Sequence, residues 1–311
     1  MQYRKLGNTD LSVSRLSYGA SPLGSVFRNI SEEEGIRTVH TAVDMGVNLI
    51  DVSPYYGQTV AETVLGKALK SIPRDKYILS TKAGRYGADF QDFDFSAKRI
   101  RSSLEESLGR LGVDGVDILF LHDIEFANLK QIFDESLPCL QALKDEGKVK
   151  HIGVTGYPIK IFDKTIENFD IDCILTYCRY ALYDTSLEPL LPKLQDKGVG
   201  VINASPTGMG LLTQRGAPPW HPGKPELLDA AKKAVELCNK ANVDITELAL
   251  QFAIDHDTIA STLVGTANPV NIQKNIEWAE KPLNVELAQE VRALFNNIDV
   301  TWPSGHPENQ D

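Results

Sequence analysis

Met45-Gly46-Val47-Asn48-Leu49-Ile50-Asp51-Val52-Ser53-Pro54-Tyr55-Tyr56-Gly57 is the stretch on which the fold turns. Gly46 stops a helix, residues 47–51 form a short apolar run ending in a carboxylate, and Ser53, Pro54 and Gly57 make a loop. Upstream, Ser31-Glu32-Glu33-Glu34 places a hydroxyl three residues before a carboxylate, a capping box for the helix that ends at Met45. The run at 47–51 is too apolar for a half-solvated strand. It reads as one buried on both faces, which requires helices on either side of a parallel sheet.

The same unit recurs outward in both directions. Candidate strands lie at 15–19, 47–51, 77–82, 116–122, 150–155, 172–177, 198–204 and 261–264. Between them come amphipathic segments. Ile100, Leu104, Leu108 and Leu111 recur at helical spacing behind a Ser96 cap, Leu140 and Leu143 belong to a helix stopped by Gly147, and Gly198 closes 187–197. Parallel strands need right-handed helical crossovers, and eight such units close a barrel. The predicted fold is therefore α/β: a (β/α)8 TIM barrel forming one domain over 1–311. An N-terminal β-hairpin turns around Gly7-Asn8-Thr9-Asp10, and extra C-terminal helices are expected among 226–242, 245–255 and 284–298. The Gly- and Pro-rich loop 207–225 and the tail 299–311 are expected to border the active site, as long barrel loops do.

Composition narrows the function. With 32 Lys and Arg against 42 Asp and Glu, the chain carries −10 and lacks the basic clusters that nucleic-acid phosphates require. No run approaches 18 apolar residues and the first residues lack a signal-peptide core, so no membrane span or export is expected. Cys139, Cys173, Cys178 and Cys238 form no CxxC or zinc spacing. A reduced, cytoplasmic setting follows. No heptad seam appears, so a monomer is expected.

In such a barrel the reactive groups sit where strands give way to the following loops. The second strand ends at Asp51, with Tyr56 in its loop; the third ends at Lys82; the fourth ends at His122-Asp123. A free tyrosine, with a pKa near ~10, exchanges protons poorly at neutral pH. A neighbouring lysine cation is expected to lower that value, and Asp51 to keep the buried lysine charged. A histidine can hold and orient a substrate oxygen. These groups move a proton on a carbinol oxygen. With no metal cluster and no activated Ser or Cys nucleophile, a hydride must pass to a cofactor.

These residues identify the sequence as resembling the aldo-keto reductases. The matching stretches are 45–51, Tyr55-Tyr56-Gly57, Glu62 with Leu65-Gly66, Thr81-Lys82, Asp117-Ile118-Leu119 through His122, and Lys148-Val149-Lys150-His151-Ile152-Gly153-Val154. The resemblance implies catalytic roles for Asp51, Tyr56, Lys82 and His122. Within that family the chain is most similar to sugar oxidisers of the L-galactose dehydrogenase type. That similarity rests on 19–27, Ser53 to Gly57, Phe93 to Ser96, His122 to Phe126, Met209 to Thr213, Trp220-His221-Pro222 and Thr301 to Gly305. The implied reaction oxidises the anomeric carbon of an aldose with NAD, giving an aldonolactone, on L-galactose or a sugar such as L-fucose or D-arabinose.

By the same resemblance the cofactor would meet Ala20, Ser21, Asp51, Thr155, Tyr177, Ser205, Pro206, Gly208, Leu211, Gly265, Thr266, Asn271 and Asn275. The substrate would meet Tyr56, His122, Tyr55, Asp123 and Trp302. Three positions depart from the wider family. Thr155-Gly156 replaces Ser-Asn, Tyr177 replaces Gln, and Ala204 with Ser205-Pro206 stands where an aromatic ring often covers the nicotinamide. A 2′-phosphate on the cofactor would call for Arg or Lys, whereas residues 265–275 hold one cation, Lys274. NAD is the expected cofactor. The alternative is a broad aldehyde reductase using NADPH.

Overall fold

The hairpin turn predicted around Gly7 forms the floor on which the barrel stands. The computed structural model describes residues 1–26 and 29–311; Phe27, the last residue of one stretch quoted above, lies outside them. Strands β1 (Tyr3–Lys5) and β2 (Ser12–Ser14) pair antiparallel. Leu6, Leu11 and Val13 pack with Leu49, Ile118, Phe120, Leu175 and Ile202, so the hairpin caps one end of the barrel interior. Gly7 has φ +56°, and a Cβ there would lie 2.4 Å from the Gly198 carbonyl oxygen. Only glycine lets the hairpin seat this closely.

Among the described residues eight parallel strands close the barrel in chain order: β3 (Leu16–Gly19), β4 (Leu49–Asp51), β5 (Ile78–Ala83), β6 (Val116–Leu121), β7 (Val149–Gly156), β8 (Cys173–Tyr177), β9 (Gly200–Ala204) and β10 (Ser261–Gly265), the last pairing with β3. All eight coincide with predicted strands to within a few residues. Strand β4 starts two residues late because Asn48 is spent on the hairpin: its Oδ1 accepts the Ser14 N–H at 2.7 Å and its Nδ2 donates to the Ser12 carbonyl at 2.8 Å.

The helices are α1 (Glu32–Asp44), α2 (Val60–Leu69), α3 (Ala97–Leu111), the single turn α4 (Leu129–Gln131), α5 (Leu137–Asp145), α6 (Ile159–Asn168), α7 (Leu191–Asp196), α8 (Pro225–Lys240), α9 (Ile245–Asp255), α10 (Pro269–Ala279) and α11 (Val285–Ala293). A π-helical turn, Ile132–Ser136, joins α4 to α5. Ser31 caps α1 through the Glu34 N–H at 3.1 Å, and Ser96 caps α3 through the Arg99 N–H at 3.3 Å, both as predicted. Helix α11 ends at Ala293 rather than at 298. Asn296 and Asn297 follow it, the latter left-handed at φ +63°, and asparagine favours such a stop over helix.

No helix among the described residues is long and apolar enough to cross a membrane. All four cysteines are buried free thiols.

Candidate active site

Strand register assembles the central group. Asp51 ends β4 opposite Ser80 of β5, whose Oγ donates to Asp51 Oδ1 at 2.8 Å. Lys82 lies two residues beyond Ser80 and therefore on the same face. Its Nζ donates to Asp51 Oδ2 at 2.5 Å, to the Val52 carbonyl at 2.9 Å and to Tyr56 Oη at 3.2 Å. Thr81, between them, faces outward to the helices and donates to Glu62 of α2 at 2.6 Å; Arg110 of α3 holds the other Glu62 oxygen at 2.7 Å. This buried pair pins β5 from behind. Tyr56 itself sits where the turn Ser21–Gly24 meets its loop, and a Cβ on Gly57 would come within 2.1 Å of the Gly24 carbonyl oxygen.

His122 follows β6 with its ring perpendicular to Tyr56, centroids 5.8 Å apart. Ser53 Oγ accepts the Tyr55 N–H at 3.1 Å and pairs with His122 Nδ1 at 3.0 Å. With Ser53 as the donor of that pair, the ring proton stands on Nε2, the nitrogen without a protein hydrogen bond. Burial pushes the His122 imidazolium down to about 3, against the pull of Asp123, so the ring is neutral at physiological pH.

The electrostatics correct one expectation. Burial pushes the Tyr56 phenol up to about 12, and Lys82 offsets only part of that rise. The phenol is thus held protonated rather than drawn toward neutrality. Sequence could name the cation beside it but not the desolvation around it. For Lys82 the balance reverses: burial opposes its charge, yet Asp51 and Tyr56 outweigh it and hold the ammonium above the ordinary lysine value.

The predicted cofactor residues all lie at this same end of the barrel. Gly265 pairs with Gly19, so the ends of β10 and β3 meet beside Ala20, whose N–H donates to the Asp51 carbonyl at 2.8 Å. Ser205 (φ +57°) and Gly208 (φ +58°) give the loop after β9 its left-handed turns, with Pro206 and Leu211 buried beneath. Thr266 and Asn268 lead into α10, where Asn271 is exposed and Asn275 is buried. The half-exposed hydroxyls of Ser21 and Ser205 and the Asn271 amide fit the ribose and phosphate oxygens of a dinucleotide. Thr155 is committed to Asp123, accepting its N–H at 3.0 Å. Tyr177 lies against Tyr157, ring centroids 5.4 Å apart.

Tyr55 and Asp123 border the central group. Trp302 instead stacks on Tyr157 at 4.7 Å, with His221 against its edge at 5.6 Å. Through Trp302 the tail meets His221 of the loop 207–225. Arg179, after β8, is buried against Asp184, at 3.3 Å, and Asp311, and is structural. Glu125 emerges as a buried carboxyl under the tail: Oε1 accepts the Ser304 hydroxyl at 2.9 Å and the Tyr157 N–H at 3.1 Å, while the peptide N–H of His306 and the amide of Asn309 bind its carbonyl. The sequence offers it within the stretch His122 to Phe126, but not its partners in the tail. Among the described residues no group of three His, Cys, Asp or Glu side chains gathers as a metal site.

The comparisons place this barrel in a family. Residues 15–296 match the model of the Aldo/keto reductase family. The chain is 47% identical to an L-galactose dehydrogenase of Arabidopsis thaliana, covering 99% of each chain. It is 35% identical to a D-arabinose 1-dehydrogenase of Saccharomyces cerevisiae, covering 98% of this chain and 89% of that one. Among solved structures, the holo form of an aldo-keto reductase from Bacillus halodurans superposes with a TM-score of 0.82 at 27% identity, over the whole of both chains. This chain belongs to the aldo/keto reductase family, whose members use nicotinamide cofactors.

Proposed function

We propose that this oxidoreductase is an NAD-dependent aldose 1-dehydrogenase, oxidising L-galactose or a sugar of similar configuration at C1 to the aldonolactone. The observation that carries the chemistry is the chain of contacts from Asp51 through Lys82 Nζ to Tyr56 Oη, 2.5 Å and 3.2 Å, beside a neutral His122. Similarity to the two sugar dehydrogenases supports the substrate class.

The chain's own residues divide the work. His122 Nε2 donates to the C1 oxygen and fixes its direction. Tyr56 Oη receives the proton of that hydroxyl, and the Lys82 ammonium stabilises the phenolate that must precede this transfer. Asp51 keeps Lys82 charged and aimed, spending its second oxygen on Ser80. When bound, NAD supplies the hydride acceptor. Ser21, Ser205, Gly265, Thr266, Asn271 and Asn275 would hold it. The lone cation of 265–275, Lys274, lies 6.0 Å over the Trp278 ring, which favours a bare ribose over a 2′-phosphate.

One observation favours the reverse reading, carbonyl reduction with NADPH: a phenol held at about 12 carries its proton at neutral pH, the state in which a reduction starts. The same pair serves both directions, so the direction is decided by cofactor preference. Following reduced-cofactor absorbance across a panel of aldoses and aldehydes, with NAD and with NADP, tests it. A higher kcat/KM with NAD and an aldose is expected. Efficient turnover of simple aldehydes with NADPH, and none of aldoses with NAD, would replace the dehydrogenase by the reductase.

A further inference from the structure

The ends of β4, β5 and β6 that place Tyr56, Lys82 and His122 also build a second cluster. Tyr55 adjoins Tyr56, Asp123 adjoins His122, and Arg85 follows Lys82 by three residues. The Arg85 guanidinium lies 3.9 Å over the Tyr55 ring, with the Phe93 and Phe126 rings at 5.2 and 5.6 Å. Its Nη1 donates to Asp123 Oδ2 at 2.6 Å and its Nε to the Gly87 carbonyl at 3.3 Å. Asp123 is left-handed at φ +54°, a region non-glycine residues seldom enter. Thr155 holds it there, accepting its N–H at 3.0 Å and donating to its Oδ1 at 3.2 Å.

A merely structural ion pair needs neither the aromatic cage nor the unusual backbone, and burying it costs desolvation. Its hydrogen-bonding capacity is also unspent. A carboxylate offers about four acceptor positions and a guanidinium five N–H donors. Each of the two Asp123 oxygens takes one bond, and three of the Arg85 N–H donors have no protein partner among the described residues. The spare capacity lies beside the reacting group, because Asp123 Oδ2 is 3.7 Å from His122 Nε2. Two polar atoms that close together grip oxygens on adjacent carbons, not distant ones.

We propose that Asp123 and Arg85 read the hydroxyl on the carbon next to the reacting one, Asp123 accepting its proton and Arg85 positioning Asp123 and donating to the same oxygen. This rests on the aldose reading above and names the sugar feature that the site selects. A sugar with that hydroxyl satisfies both groups. One without it leaves a buried carboxylate and a half-buried guanidinium short of partners, which is how a polar site rejects a deoxy analogue.

The test compares kcat/KM for an aldose and for its 2-deoxy counterpart, in the unaltered enzyme and in Asp123→Asn, Arg85→Met and Arg85→Lys. The ratio of the two values is the readout. Asp123→Asn is expected to reduce it roughly 30-fold or more and Arg85→Met roughly 10-fold, with Arg85→Lys restoring part of the loss. Variants that depress both sugars by one common factor, leaving the ratio where it was, would make the pair structural and overturn the proposal. So would an unaltered enzyme that oxidises both sugars equally well, although the dehydrogenase reading would survive that result. No oxidation of any aldose would remove both.

Discussion

The two ends of the barrel both bury charge, and they treat it in opposite ways. At the hairpin end Asp117, buried, and Asp172, half-buried, each take three hydrogen bonds. Asp117 accepts from Arg74 at 2.6 Å, Lys150 at 2.8 Å and the Leu79 N–H at 2.8 Å. Asp172 takes both oxygens' worth of Lys144, at 2.9 and 2.7 Å, and the Ile152 N–H at 2.8 Å. Against the cost of burial, these partners hold both carboxyls below the ordinary range, Asp172 at about 2. At the loop end partners still prevail at Lys82 and Asp123, but burial wins at three other groups. Tyr56 rises to about 12, Glu125 to about 8, and His122 falls to about 3. Saturated charge holds strands together; undersupplied charge is kept in a form that can exchange protons or accept a ligand.

The largest effect that could break this comparison is on turnover. Tyr56→Phe deletes one oxygen from the loop end and should lower kcat by about 10³-fold while leaving the thermal midpoint within a few degrees. In the unaltered protein, kcat/KM for aldose oxidation should climb with pH through the neutral and alkaline range, because the reactive phenolate gains population up to about 12. The Phe variant should lose that limb. A residual kcat near that of the unaltered enzyme would show that the proton goes elsewhere.

Removing saturated charge should do the opposite. Asp117→Ala leaves Arg74 and Lys150 without their carboxylate and the Leu79 N–H unpaired. Both cations are partly exposed and can turn to water, so the cost is set at about 1–3 kcal/mol in urea unfolding. KM for the sugar should stay put, since Asp117 lies at the far end of β6 from His122. A changed KM with unchanged stability would dissolve the division between the two ends.

Glu125 sharpens the comparison because its charge has been left short within the tail's own contacts. Its Oε2 is buried without a hydrogen bond, and burial together with Asp123 raises the carboxyl to about 8. The folded protein therefore keeps this proton at pH values where the unfolded chain, near the ordinary 4.5, has lost it. The resulting stability is complete below about 4.5 and lost as pH rises through about 8. The thermal midpoint of Glu125→Gln should lack that decline. A variant whose midpoint falls with pH as steeply as the parent's would assign the slope to another group.

Much of the fold was legible because its signals are local. The runs at 116–122 and 172–177 are apolar on both faces, and Ser31, Ser96, Gly147 and Gly198 mark where helices start and stop. The central site was legible because β4, β5 and β6 are consecutive neighbours, so Asp51, Lys82 and His122 had to converge. What stayed hidden depends on long-range packing. Nothing near Glu125 in sequence announces Ser304, His306 or Asn309, and Arg179 gives no sign of Asp311. The direction of the Tyr56 shift was hidden for the same reason, since desolvation is summed over neighbours drawn from the whole barrel. The π turn at Ile132–Ser136 has no local signature that we can identify.

The smallest expected effect returns to the hairpin end and asks whether the floor is held by charge at all. His151 lies between Asp172, at 3.5 Å from Nδ1, and Asp10 of the hairpin turn, at 2.7 Å from Nε2. Burial disfavours its charge, but the two carboxylates outweigh it and raise the imidazole above the ordinary 6.5. A raised histidine stabilises the fold fully below the unfolded value, and that contribution fades as pH climbs through the folded one. Asp10 is largely exposed, so solvent screens its share, which is set at about 0.5 kcal/mol. Asp10→Asn should therefore lower the midpoint slightly at pH 6 and not at pH 9, and added salt should erase the difference. If the two proteins differ equally at both pH values, the Asp10–His151 charge is incidental, and the hairpin rests on Leu6, Leu11 and Val13 with the Asn48 hydrogen bonds.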